Sequence, residues 1–128
     1  MALLPTPTAT PRPTATPLPL VSGYNPPHQT DPGQQVVIDT INTVFGKYAG
    51  GALNIAKCES GYDPNARNAY PVGDSHAMGV FQILFPSTWG GTSYKAYSPY
   101  DYQKNIHAAY EIFSRDGYSW REWECKPS

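Results

Sequence analysis

The sequence has few charged residues and no cluster of one sign. Asp, Glu, Lys and Arg make up 15% of the 128 residues, the formal net charge is -1 and the isoelectric point is near 6.2. Proteins that bind nucleic acid neutralise phosphates with clustered Lys and Arg, so the composition predicts no nucleic-acid partner. Aromatic residues reach 13%, which suits a surface that contacts neutral, hydrogen-bonding polymers such as glycans.

Long apolar stretches are also absent. No run of about eighteen apolar residues occurs, so the sequence predicts no membrane-spanning helix. The N-terminal residues Met1 to Leu4 lack the basic residues and the apolar region of a signal peptide. If the protein is exported, we expect its signal or anchor to have been encoded upstream and removed.

Cysteine and histidine are scarce. The two cysteines, Cys58 and Cys125, and the three scattered histidines do not provide the clustered ligands of a zinc site, so we predict no metal and no cofactor. Small exported domains commonly close such a pair into a disulfide, which for a loop of this length would add about 4 kcal/mol of stability. The alternative is a pair of free buried thiols in a cytosolic protein.

Proline is concentrated near the N-terminus. Nine of the fourteen prolines lie in residues 1–32, where Pro-Thr and Thr-Ala-Thr repeat without apolar periodicity. Such a segment cannot form a core, and its prolines favour an extended polyproline II conformation. We therefore predict a disordered, semi-rigid linker over residues 1–32 and one small domain over residues 33–128.

One helix is predicted at the start of this domain. Asp31 is a candidate N-cap, Pro32 suits the first helical position, and Gly50 and Gly51 are expected to end the helix. The apolar residues of the segment recur on one face. They are Val37, Ile41, Val44, Phe45 and Tyr48.

The remaining segments predict a mainly α, α+β domain. A short apolar helix is expected over residues 52–60, one helical turn over 86–89 and a longer helix over 101–115. Residues 61–79 are rich in Gly, Pro, Asn, Asp and Ser, which predicts turns or a short β-hairpin insertion. No alternating pattern is long enough for a larger sheet.

Glu59 is the acidic residue whose setting differs from the others. It follows the apolar residues Ile55 and Ala56 and precedes a glycine-rich loop, so burial would raise the pKa of its carboxyl. The alternative is that Glu59 ends a helix in water, where a carboxylate has no special role. The residues predicted on solvent-exposed faces are Asp39, Asp101, Glu111 and Glu122.

Four short motifs occur in order along the second half of the chain. They are Cys58-Glu59-Ser60-Gly61, Gly79-Val80-Phe81-Gln82, Ser87-Thr88-Trp89, and Gly117 followed by Trp120, Trp123 and Cys125. This order resembles the resuscitation-promoting factor domain. It is also similar to lytic transglycosylases of the SLT type and to goose-type lysozymes. The resemblance covers roughly residues 52–125 and implies a lysozyme-like fold whose insertion lines a glycan groove.

The resemblance implies roles for individual residues. Glu59 would be the catalytic acid, and a bridge between Cys58 and Cys125 would tie its helix to the C-terminus. Gln82 and Thr88 would bind substrate in the groove. The alternatives are that Gln82 only satisfies loop backbone groups and that Thr88 only caps the turn.

Asp74 departs from the pattern of the most similar family. Goose-type lysozymes carry a Gly-Asp pair at a similar offset before their Gln, and the aspartate there helps position the attacking water. Resuscitation-promoting factors generally lack it. By this resemblance Asp74 would be a second catalytic residue, whereas the alternative is that Gly73-Asp74 only forms a turn. Asp116 lies where the most similar family often has Gln, which puts groove contacts there in doubt.

The resemblance implies cleavage of the β-1,4 bond between N-acetylmuramic acid and N-acetylglucosamine in bacterial peptidoglycan. The enzyme would be a lytic transglycosylase or a muramidase, secreted or associated with the cell wall, and monomeric. Peptidoglycan glycan strands would be its partner. Two alternatives stay open: a non-catalytic peptidoglycan-binding module, and a domain that docks a partner in a wall-remodelling complex.

Overall fold

The computed structural model describes residues 18–21 and 23–127, and it confirms the predicted fold class. The described chain is mostly helical, with a two-stranded antiparallel hairpin between its second and third α-helices. No helix in this part of the chain is long and apolar enough to cross a membrane. In chain order the elements are α1 (Gln34–Phe45), a 3-10 helix (Gly46–Tyr48), α2 (Ala49–Ser60), β1 (His76–Met78), β2 (Ile83–Phe85), α3 (Ser87–Gly90) and α4 (Tyr102–Arg115).

Helix α1 does not begin with the predicted aspartate cap. Gly33 precedes the helix with a φ of 100°, and no side chain caps the first turn. The Asp31 carboxylate instead accepts a hydrogen bond from the Gly33 N–H at 2.8 Å, so it shapes the turn that leads into the helix. The predicted apolar face is confirmed, because Val37, Ile41 and Phe45 are buried.

The end of α1 was also predicted at the wrong glycine. Gly46 ends the helix with a φ of 53° and a ψ of -120°, a conformation that side chains disfavour. Gly50 and Gly51 lie inside α2, which begins at Ala49. A Cβ on Gly51 would lie 3.3 Å from the indole nitrogen of Trp120, so glycine at this position allows the C-terminal segment to pack closely on α2.

The hairpin pairs His76 with Phe85 and Met78 with Ile83, and its turn is formed by residues 79–82. Arg67 forms an isolated antiparallel bridge with Met78, so the segment before the hairpin pairs with β1 at one residue. The predicted short β insertion is therefore present, and its second strand lies beyond the segment expected from the sequence.

An aromatic cluster joins four separate segments of the chain. The ring centroid of Phe45 in α1 lies 5.4 Å from that of Phe81, 5.8 Å from that of Phe113 and 5.6 Å from that of Trp120. Buried aromatic rings contribute large apolar areas and favourable edge contacts. The cluster therefore fixes the hairpin turn and the C-terminal segment against α1 and α4.

Asn105 is a buried polar residue of α4 that holds the hairpin turn. Its side chain is fully buried, and its Oδ1 accepts a hydrogen bond from the Phe81 N–H at 2.8 Å. Its Nδ2 donates to the carbonyl oxygens of Met78 at 3.1 Å and Pro99 at 2.9 Å. Because Gly79 has a φ of 84° and a Cβ there would overlap the Asn105 amide, the turn requires glycine at this position.

The described residues before α1 contact the helical domain. The Tyr100 hydroxyl donates to Asn25 Oδ1 at 2.7 Å. The backbone of Gln29 makes two hydrogen bonds with the Asn65 side chain, at 3.0 and 2.8 Å. Residues 1–17, which hold most of the Pro-Thr repeat, lie outside the described residues together with residues 22 and 128. The boundary between linker and domain at residues 32 and 33 stays a prediction.

Candidate active site

Glu59 lies in the last turn of α2 and faces an open groove. Helix α2 ends at Ser60, and Gly61 caps it in the left-handed conformation with a φ of 64°. The Ser60 hydroxyl donates a hydrogen bond to the Val80 carbonyl at 2.7 Å. This contact joins the end of α2 to the hairpin turn, so Glu59 is held at the junction of the two elements.

The surroundings of Glu59 raise the pKa of its carboxyl. Partial burial is the main cause, because it disfavours the ionised form. The Cys125 N–H, which donates to Glu59 Oε2 at 3.2 Å, acts in the opposite direction. The negative charge of Glu124 raises the pKa further and the positive charge of Lys126 lowers it. The net upward shift suits a carboxylic acid that donates a proton.

A disulfide between Cys58 and Cys125 holds the C-terminal segment beside this acid. The two Cα atoms are 6.1 Å apart, and the bridge closes a separation of 67 residues. Cys58 precedes Glu59 directly, and Cys125 supplies the backbone donor to the Glu59 carboxyl. The disulfide therefore holds Glu59 and Cys125, the two residues of this hydrogen bond, beside each other. No cysteine in the described chain is free.

The groove consists of two adjoining compartments, of about 280 and 170 Å³. The larger compartment contains the Glu59 carboxyl. Both are lined by Gln82, Leu84, Glu122 and Trp123, so these four residues form a shared wall. The larger compartment is completed by Glu59, Asn68, Tyr70, Val72, Ala77 and Glu124.

Two exposed apolar side chains form the outer edge of the larger compartment. Tyr70 is 83% exposed and Val72 is 60% exposed. The Tyr70 N–H donates to Asn68 Oδ1 at 2.9 Å, which fixes the backbone of this loop. Large apolar side chains that are this exposed beside a groove commonly contact a ligand. The position of Tyr70 at the groove was not predicted, because Tyr70 lies in a turn-rich segment without periodicity.

Gln82 lines both compartments and also supports the hairpin turn. Its φ is 50°, and its Nε2 donates to the carbonyl oxygens of Ala66 at 3.1 Å and Gly79 at 3.0 Å. The amide nitrogen of Gln82 therefore bonds loop backbone groups, which agrees with the alternative given for this residue. The side chain still borders the groove, so a role in substrate binding stays a prediction.

Thr88 lies in the smaller compartment, on the short helix α3. It is half-buried and lines this space together with Ile83, Ile112 and the shared wall. Pro86 precedes α3, and no side chain makes a capping hydrogen bond to it. The structure therefore does not support the capping role for Thr88, and its contact with substrate stays a prediction.

Asp74 lies at the tip of a tight turn and is exposed. The N–H of Val72 donates to the Ser75 carbonyl at 2.8 Å, and the reverse bond measures 3.1 Å, so Gly73 and Asp74 are the two central residues of the turn. Asp74 is not among the residues that line the compartment of Glu59. This placement matches the turn alternative, while a catalytic role stays a prediction.

A larger open depression of about 670 Å³ lies between α1 and α4 and does not contain Glu59. Its titratable lining residues are Asp39, His107 and Tyr110. In the described chain no group of three or more His, Cys, Asp or Glu side chains is placed to hold a metal ion. We assign the active site to the smaller groove because it contains a half-buried carboxyl with a raised pKa and has exposed apolar edges.

These features define the class of protein. A small helical domain with a hairpin insertion, in which the helix before the insertion ends on a half-buried glutamate facing a groove, is the arrangement of a lysozyme-like enzyme that cleaves glycans.

The family model of the transglycosylase SLT domain matches residues 42–125, and the chain belongs to this family. The family comprises peptidoglycan lytic transglycosylases and lysozyme-like glycoside hydrolases, so the chain is an enzyme of this type that acts on peptidoglycan. No curated protein and no solved structure matches the chain significantly.

Proposed function

We propose that the protein cleaves the β-1,4 bond between N-acetylmuramic acid and N-acetylglucosamine in peptidoglycan, with Glu59 as the acid and then the base. The observation that carries this proposal is the half-buried Glu59 carboxyl in the groove, whose pKa is raised mainly by burial. A carboxylic acid that keeps its proton near neutral pH can donate it to the leaving oxygen.

The reaction has two proton transfers at one carboxyl. Glu59 donates its proton to the glycosidic oxygen as the bond to C1 of the muramic sugar breaks, and positive charge develops at C1. The ionised Glu59 then accepts the proton of the muramic 6-hydroxyl, whose oxygen attacks C1. The products are a 1,6-anhydromuramic end and a free N-acetylglucosamine end. The proton returns to Glu59, so the carboxyl is regenerated.

The position of Asp74 favours this intramolecular route over hydrolysis. On the hydrolytic route a second carboxylate would position a water molecule at C1. Asp74, the candidate for that role, lies at the exposed tip of a turn outside the lining of the Glu59 compartment. The 6-hydroxyl of the substrate itself needs no such carboxylate.

Substrate binding is assigned to the remaining lining residues. Gln82 would contact the sugar beside Glu59, and Thr88 would contact the chain in the smaller compartment. The exposed ring of Tyr70 would stack on a sugar face, because aromatic rings bind the apolar faces of sugars.

We further propose that residues 33–128 form the catalytic domain, that residues 1–32 connect it as a spacer whose end contacts the domain through Asn25 and Gln29, and that the enzyme acts as a monomer outside the cytoplasm. The disulfide supports an oxidising compartment. The Pro-Thr repeat supports the spacer.

The test is mass spectrometry of the fragments that the wild type and Glu59→Gln release from purified peptidoglycan. Anhydromuramic ends with the wild type and no fragments with Glu59→Gln are expected. Reducing muramic ends that disappear with Asp74→Ala would instead establish hydrolysis. Unchanged release by Glu59→Gln would contradict the proposal. Binding without cleavage by both proteins would indicate the non-catalytic module.

A further inference from the structure

The two compartments of the groove are bordered by different parts of the chain. Tyr70 and Val72 border the larger compartment and belong to the edge segment, residues 68–75, which precedes β1. Thr88 borders the smaller compartment from α3. A glycan strand that fills both compartments contacts both parts, so it binds best when their relative position is fixed in advance.

Ser75 is a buried residue that bonds to both parts, and it is only 2% exposed. Its backbone N–H donates to the Val72 carbonyl at 3.1 Å, and its own carbonyl accepts from the Val72 N–H at 2.8 Å. Its Oγ accepts a hydrogen bond from the Ser87 N–H at 3.0 Å. The backbone of Ser75 therefore holds the edge segment, and its hydroxyl holds the first residue of α3.

The hydroxyl of Ser75 continues the hairpin where the backbone cannot. The last backbone pair of β1 and β2 in this direction is His76 with Phe85. Pro86 follows and has no N–H to donate. The next N–H is that of Ser87, which begins α3 and has no acceptor within so short a helix. No residue before α3 caps it through a side chain, so Ser75 supplies the acceptor from across the hairpin.

The edge segment has few other attachments. The Asn68 N–H donates to the Ala77 carbonyl at 2.9 Å, at the opposite end of the segment from Ser75. Residues 70–74 are exposed, and among the described residues they form no hydrogen bond outside the edge segment. The position of the edge relative to α3 therefore depends on the bond between Ser75 and Ser87.

We propose that Ser75 is a positioning residue for the substrate. It holds the edge segment and α3 at a fixed separation, so that one glycan strand contacts Tyr70 and Thr88 together. Ser75 does not line either compartment, so it acts through these neighbours and does not touch the glycan. The inference rests on the proposed function for the identity of the substrate.

The acid is held by contacts that do not involve Ser75. The Ser60 hydroxyl bonds the Val80 carbonyl, and the Cys125 N–H bonds the Glu59 carboxyl. A looser edge should therefore weaken binding of the strand in the ground state and in the transition state alike. Such a change raises KM and leaves kcat unaltered.

The experiment compares Ser75→Ala with a matched serine variant, using soluble glycan strands as substrate at a temperature where circular dichroism shows all proteins folded. Ser75→Ala should raise KM about twofold to tenfold and keep the kcat of the wild type. The control is Ser98→Ala. The Ser98 Oγ also accepts a backbone N–H at 3.0 Å, that of Tyr100, but Ser98 lies outside both compartments. Ser98→Ala should keep the KM of the wild type.

Two further variants separate positioning from a general loosening of the fold. Ser75→Cys fills nearly the same space with a weaker acceptor, so its KM should lie between those of the wild type and Ser75→Ala. It also provides the test if Ser75→Ala does not fold. In a Tyr70→Ala background, adding Ser75→Ala should raise KM by a smaller factor than it does in the wild type, because the contact that Ser75 positions is already lost.

The inference would be overturned by a wild-type KM in both Ser75 variants, or by an equal rise of KM in Ser98→Ala. A fall of kcat without a rise of KM would also overturn it, and so would an undiminished effect of Ser75→Ala in the Tyr70→Ala background. In each of these cases the wild type still cleaves the strands, so the proposed function stands. Absence of cleavage by the wild type would overturn the proposed function, and this inference with it.

Discussion

Asn105→Ala should destabilise the domain strongly because of the hydrogen bonds that it removes. The Asn105 side chain is fully buried and bonds the Phe81 N–H and the carbonyl oxygens of Met78 and Pro99. Each buried backbone group that loses its partner costs about 1–3 kcal/mol, so the free energy of unfolding should fall by at least about 3 kcal/mol. This is a large part of the stability of a small domain, which is typically about 5–15 kcal/mol.

Urea unfolding followed by tryptophan fluorescence measures this change. The matched control is Asn54→Ala, which also truncates a helical asparagine. The Asn54 Nδ2 donates to the Pro127 carbonyl at 2.7 Å, but this bond is exposed, so a loss within about 1 kcal/mol is expected. Equal losses in the two variants would refute the reasoning, because Asn105 would then be no more important than a surface residue.

Other predictions concern the acid, the groove edge and the bridge. The folded chain binds the Glu59 proton more tightly than the unfolded chain, whose pKa is near 4.5, so stability falls as the pH rises through the raised pKa. The free energy of unfolding of Glu59→Gln should equal that of the wild type at acid pH. At neutral pH it should be higher than that of the wild type by less than about 1 kcal/mol, because water screens the half-exposed carboxylate. Equal melting temperatures of the two proteins at both pH values would contradict this. Tyr70→Ala should raise KM about twofold to tenfold and Tyr70→Phe should not, whereas equal effects would assign binding to the hydroxyl. The double variant Cys58→Ser, Cys125→Ser should have a free energy of unfolding lower by about 4 kcal/mol, which denaturant unfolding measures. A change below about 1 kcal/mol would contradict the chain-entropy account.

Local periodicity and motif order predicted much of the fold and the location of the acid. The apolar face of α1 follows from the spacing of Val37, Ile41 and Phe45, and α4 from a similar pattern. The apolar neighbours of Glu59 left two interpretations open, and the order of the four motifs, through the family resemblance, identified it as the acid. Burial does raise the pKa of the Glu59 carboxyl, as its apolar neighbours predicted.

The features that the sequence did not predict depend on contacts between distant segments. Gly46 and Gly51 carry the same local preference, yet Gly46 ends α1, whereas Gly51 lies within α2 where Trp120 approaches. Asn105 resembles an ordinary polar helical residue until its partners at Met78 and Phe81 are known. Glu122 is exposed, as predicted, but its place beside the groove depends on how the C-terminal segment packs.

The same C-terminal segment that is tied by the disulfide also sets the acidity of Glu59. Three groups that change its pKa, the Cys125 N–H and the charges of Glu124 and Lys126, lie in residues 124–126, and Trp123 borders the same compartment. Burial is the largest cause, so a C-terminus freed by Cys58→Ser with Cys125→Ser should admit water and lower the pKa of Glu59.

A general acid must be protonated, so the fall of kcat/KM at high pH should begin at lower pH in this double variant. The measurement is the pH profile of kcat/KM on soluble glycan strands, at a temperature where circular dichroism shows both proteins folded. A profile that keeps the wild-type midpoint would mean that α2 and the hairpin alone bury the acid. The bridge would then stabilise the fold without tuning the chemistry.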